Sequence, residues 1–132
     1  MLAEEFTMSS FELGFFSIPV LDIQLAKSFY SDGMGWDGMG WEFKDRDPQF
    51  SYIFANENMI GSLELSPGPV YPSGNGPLMF FRADYMEKVL ARVTANGGAI
   101  LEKISLENGA RGYTAKIIDP FKNILAFWAP EN

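Results

Sequence analysis

The order strand, helix, three strands runs twice through this chain, and that duplication restricts its fold more than any other feature. Residues 14–20, GFFSIPV, are rich in aromatic and β-branched side chains and read as a strand, which Pro19 confines to a sheet edge or a strand end. Asp22 is placed to cap a helix whose Ile23, Ala26, Phe29 and Tyr30 share one apolar face, with Gly33 and Gly35 to stop it. Strands are expected over 39–43, over 50–55, where Phe50, Tyr52 and Phe54 alternate with Ser51, Ile53 and Ala55, and over 59–65, with 45–48 as a turn. The second half repeats the plan. A strand over 78–83 leads to Asp84 as helix cap, then to Met86, Val89, Leu90 and Val93 on one helical face, and Gly97-Gly98 ends that helix. Three more strands are expected over 99–104, 112–118 and 123–129. Val20 recurs as Ala83, 63 positions on, and Ala26, Tyr30 and Gly35 recur at the same shift as Val89, Val93 and Gly98.

Two copies of so long a unit do not make a solenoid. The prediction is an α+β domain of two tandem βαβββ modules, 14–65 and 78–130, whose curved sheets pair around a cleft. A Pro/Gly-rich linker, 66–77, joins them, and 1–13 forms an N-terminal arm able to lie on the core or clasp a partner. A chain of 132 residues has length for a single domain.

The sequence contains neither His nor Cys, which removes the Ser-His-Asp triad, the thiolate nucleophile, the disulfide and any His- or Cys-ligated metal. Acid–base chemistry would fall to a carboxylate, Lys or Tyr whose surroundings shift its pKa. A net charge of −7 repels phosphate backbones and anionic membranes, so nucleic acid is not an expected partner. No apolar run approaches the ~20 residues of a membrane span. The start, MLAEEFTMSS, lacks the basic-then-apolar order of an export leader, and a cytoplasmic location is the expectation. Gly33-Met34-Gly35 and Gly38-Met39-Gly40 lack the strand-loop-helix setting of a phosphate loop and read as turns.

Three segments, in this order, resemble the vicinal oxygen chelate superfamily of glyoxalases, bleomycin-resistance proteins and extradiol dioxygenases. They are IPVLDIQLAKSFYSDGMGW over 18–36, DYMEKVLARVTANGGAI over 84–100 and IDPFKNILAFWAP over 118–130. In the last, Phe121-Lys122 stands where the family's closing motif prefers an acidic or small residue followed by Gly. The resemblance implies a cleft between curved sheets, commonly with a metal at its base held from the first and last strands of each module. Carried onto this chain, those positions are Phe15, Leu78 and Ala126, with Leu63 as the fourth, or Gly61 if the turns are aligned instead of the joint. None offers an oxygen or nitrogen ligand, so neither a metal nor another cofactor is expected there. A register slip of one residue would turn a strand over, and Glu12, Ser17, Glu42 and Glu64 are the side chains such a slip could bring to a shifted site.

The expected ligand-binding cleft is therefore aromatic and aliphatic: Phe15, Trp41, Tyr52, Leu63, Leu78, Tyr113, Ala126 and Trp128, with Glu64 aimed either at a ligand or at solvent. Ring faces beside carboxylates suit a planar or cationic small molecule. The reading is a metal-free small-molecule-binding protein of the glyoxalase/bleomycin-resistance type, with no catalytic residue assigned. The alternative from the enzyme class is a lyase, isomerase or dioxygenase using a shifted carboxylate metal site. A third reading is a module whose cleft is filled by its own Phe side chains. Open sheet edges and the arm make a homodimer the expected assembly.

Overall fold

A computed structural model of the chain describes residues 13–70, 76–106 and 112–130. The expected arm except Leu13, and with it Glu12, lies outside these residues, as do the centre of the linker at 71–75 and the turn at 107–111. The first module runs β1 (Phe16–Val20), α1 (Ile23–Ser28), β2 (Trp41–Asp47), β3 (Phe50–Ala55) and β4 (Asn58–Leu65). The second runs β5 (Phe80–Arg82), α2 (Met86–Ala95), β6 (Ala99–Leu106), β7 (Tyr113–Ile118) and β8 (Ile124–Ala129). Each module makes a four-stranded mixed sheet, in the orders β1-β4-β3-β2 and β5-β8-β7-β6. The first and last strands of each module pair in parallel and the remaining neighbours antiparallel. The fold is α+β, two tandem βαβββ modules.

Local chemistry explains most boundaries. Pro19 has no N–H to give a ladder, and β1 is an edge strand. Asp22 caps α1, its Oδ1 accepting from the Leu25 amide at 2.9 Å. The chain then widens into one π-helical turn over Phe29–Gly33, which turns Phe29 and Tyr30 inward together. The expected turn at 45–48 is instead mostly strand. β2 continues to Asp47 through an irregularity between Asp45 and Asp47, where Lys27 of α1 meets the Asp45 carboxylate at 3.1 Å. Asp84 does not cap α2. That helix begins at Met86, and the residue before it, Tyr85, holds φ +59 without a side-chain cap, while the Asp84 carboxylate lies 3.5 Å from Arg82 Nε.

The two modules share one core. Trp36, 1% exposed, sits among Tyr30 at 4.6 Å between ring centroids, Trp41 at 4.9 Å and Phe81 at 5.7 Å. Because Phe81 belongs to β5, these rings fasten the second module to the first. A buried polar bracket joins the halves as well. Tyr30 donates its O–H to Asp119 Oδ2 at 2.6 Å, and Asp119 Oδ1 accepts from the Phe121 and Asn123 amides, each at 2.8 Å. Asn123 Nδ2 in turn donates to the Pro19 carbonyl of β1 at 2.7 Å. Arg92 of α2 donates to the Asp32 carbonyl at 2.8 Å, a second link between the halves.

Candidate functional site

Strand alternation divides each sheet into a face turned to the shared core and a face left open. In the first sheet Ile18, Leu63 and Ile53 belong to the core, while Ser17 and Pro19, the alternate residues of β1, are exposed. The ladder register places Ser17 beside Ser62, Ser62 beside Tyr52 and Tyr52 beside Lys44, so these four residues form one row across the open face. The next row holds Pro19, Glu64 and Phe50. On the other side of the first row, Phe15 precedes β1 with the parity of Ser17 and is 54% exposed. Lys44 Nζ lies 4.5 Å from the centroid of the Phe54 ring on this same face.

The second sheet follows the same logic. Phe81 and Phe127 pair on the core side, and Phe80, Ala126, Lys116 and Glu102 make a row on the open side. The adjacent row carries Arg82, Trp128 and Thr114, with the Arg82 guanidinium 5.7 Å from the Trp128 ring. Lys116 Nζ approaches Glu102 Oε1 at 3.4 Å. Leu78, just before β5, shares the parity of Phe80.

The residues expected to line one cleft thus fall in three places. Phe15, Tyr52 and Glu64 lie on the open face of the first sheet, and Leu78, Ala126 and Trp128 on that of the second. Trp41, Leu63 and Tyr113 belong to the core side. Trp41 packs on Trp36 and Phe81, Leu63 is fully buried beside Ile18, and Tyr113 packs against the core cluster. For Leu63 the reason is a shift by one. Ser17 to Phe80 spans 63 positions, but their ladder partners Ser62 and Ala126 are 64 apart, so the residue matching Ala126 is Ser62. One residue reverses the face of a strand, and Leu63 is the wrong side of that step.

Ser62 is the functional candidate that the repeat arithmetic missed. It is 2% exposed, and among the described residues the hydroxyls of Ser17, Ser62 and Tyr52 have no hydrogen-bond partner. With this register, the four positions that the resemblance implied for metal ligands become Phe15, Ser62, Leu78 and Ala126, which combine one neutral hydroxyl with hydrocarbon. That set does not fit a divalent cation, which needs several charged or strongly polar donors. Among the described residues no three carboxylates come together in a group able to hold a metal.

Tandem βαβββ modules with this strand order make the fold that the chain shares with solved glyoxalase/bleomycin-resistance structures. A glyoxalase/bleomycin resistance protein from Albidiferax ferrireducens T118 matches with a TM-score of 0.66 at 22% identity, over 89% of this chain and 99% of that one. A glyoxalase-related enzyme from Fulvimarina pelagi matches with a TM-score of 0.68 at 17% identity, over 89% and 87%. The fosfomycin resistance protein FosX from Listeria monocytogenes, solved with Mn(II) and sulfate, matches with a TM-score of 0.69 at 11% identity, over 89% of each chain. No family model and no curated protein matches the sequence. No helix among the described residues is long and apolar enough to cross a membrane.

Proposed function

We propose that this chain is a small-molecule-binding protein that holds a planar ligand on the aromatic open faces of its sheets without a metal ion. One observation carries the reading: the positions that the resemblance implied for metal ligands become, with this register, Phe15, Ser62, Leu78 and Ala126, while Tyr52 and Trp128 stand on the same faces. Such surfaces hold a ligand by stacking and shape. Exposed apolar side chains at the rims, Leu13 at 87%, Phe15 at 54% and Phe80 at 52%, support a homodimer that covers part of them.

The test is a thermal-shift and calorimetry screen of planar compounds on the full chain, with Tyr52→Ala and Trp128→Ala beside it and light scattering for mass. Binding that either substitution abolishes supports the proposal. Binding that neither weakens removes these faces from the site. The enzyme alternative has one observation in its favour, Glu64 half-buried two residues along β4 from Ser62 on the same face. Stoichiometric Mn²⁺, Fe²⁺, Ni²⁺ or Zn²⁺ surviving dialysis, and lost on Glu64→Gln, would select it.

A further inference from the structure

We infer that Ser17, Ser62, Tyr52 and Lys44, one row across four strands, form a donor row that holds the anionic oxygen end of a planar ligand, taking the place of a cation. This rests on the proposed binding role and adds the ligand's chemical class, an aryl carboxylate or a closely similar oxyanion.

The register argues for it first. Ser17 and Ser62 are direct ladder partners, as are Ser62 and Tyr52, and Tyr52 and Lys44. Partners on one face of a sheet stand about 5 Å apart. A hydroxyl donates to an oxygen at about 2.7 Å, so two such hydroxyls reach a single oxygen lying between them. Satisfaction argues for it next. Ser62 is 2% exposed, yet among the described residues its hydroxyl has no hydrogen-bond partner, and neither have those of Ser17 and Tyr52. Ser17 is exposed and Tyr52 half-buried, so the row is open to a ligand oxygen that would accept from these hydroxyls.

Charge sets the ligand's sign and direction. Lys44 ends the row and, with its Nζ 4.5 Å over Phe54, lies along the face. Hydrogen bonds to an anion are the stronger kind, which favours carboxylate over a neutral carbonyl. Three carboxylates share this face: Glu64 and Asp47, in the row of Pro19 and Phe50, and Glu42, beside Phe54. Glu64 and Asp47 repel an anion from one side of the row, and Glu42, three strands away from β1, repels it from the other side at the Lys44 end. Phe15 lies the other way along β1, away from Glu64, and offers a half-exposed ring for the ligand's aromatic part. The net charge of −7 does not oppose this, because charges beyond about 8 Å are screened at physiological salt.

The experiment compares 2-naphthoate, 2-naphthamide and 2-naphthylmethylamine by calorimetry on the full chain, with EDTA present throughout. Naphthoate is expected to bind about tenfold more tightly than the amide, and the amine most weakly. Lys44→Met should erase the gap between acid and amide, and Ser17→Ala/Ser62→Ala should weaken both about tenfold while leaving the amine and the melting temperature unchanged. Tightest binding by the amine, or unchanged naphthoate affinity in the double variant, overturns the inference. Equal binding of all three overturns the donor row and leaves the planar-ligand reading standing, whereas binding of naphthoate only when Mn²⁺ replaces EDTA overturns both, as does no binding by any of the three.

Discussion

Removing one oxygen, in Tyr30→Phe, tests whether the two modules are braced by a polar bracket as well as by rings. The Tyr30 O–H donates to Asp119 at 2.6 Å, with both residues buried. Phe keeps the ring, and so the stacking on Trp36 at 4.6 Å, and removes only the donor. A hydrogen bond to a charged acceptor is worth about 1.5–3 kcal/mol. Spread over the unfolding entropy of a chain this long, that is a fall in Tm of roughly 5–10 °C. Alkaline pH supplies a second, independent sign. Burial first, then the Asp119 charge and the hydrogen bond, hold the Tyr30 phenol well above its ordinary 10.0. Above pH ~10 the unfolded chain releases this proton while the folded chain keeps it, so stability falls as pH rises there, by at most about 1.4 kcal/mol per pH unit. Urea titrations at neutral pH and between pH 9 and 11 read both effects. Tyr30→Phe should be less stable at neutral pH and should lose part of the alkaline decline. A Tm drop below about 2 °C, or an alkaline limb identical to the parent's, would refute the bracket.

Two further perturbations check register and backbone. Leu63→Ala should cost about 2–5 kcal/mol in urea unfolding, as a fully buried side chain among Ile18 and Ile53, whereas Ser62→Ala should leave stability nearly unchanged; the reverse order would mean that β4 is turned over. Lys122 holds φ +76, a left-handed conformation that costs a side-chain-bearing residue about 1–2 kcal/mol, so Lys122→Gly should raise the stability by about 1 kcal/mol, and a lowered Tm would contradict that strain.

Much of the architecture was legible because it rests on local rules. Pro19 announced an edge strand and Asp22 a helix start, and the duplication predicted two equivalent sheets. The failures are equally local. Asp84 looks like a cap by residue type, but Tyr85 takes a left-handed turn before the helix begins, and a φ of +59 at Tyr leaves no trace in composition. Lys122 departs from the family's Gly in sequence and still adopts the glycine-like φ, so the turn survives the change. The site was harder. Tyr52 and Trp128 entered as rings, Ala126 through the family resemblance, and Glu64 as facing either ligand or solvent; Trp41 and Tyr113 were not distinguishable from Tyr52 and Trp128 by residue type, since a core and a ligand surface are built from the same rings. Ser62 was missed because the repeat shift grows by one residue between the first and last strands, an offset that only paired backbones reveal. A sequence rule can count residues, but it does not see where a ladder gains one.

The ring cluster around Trp36 has a consequence for the duplication itself. Phe81 comes from the later copy and closes a cage otherwise built from the earlier one, while Asn123 of the later copy reaches back to Pro19. Each half therefore carries surface that only its sibling hides. Although the sequence reads as one motif written twice, each half lends the other a ring or a hydrogen bond, and the seam is built from both.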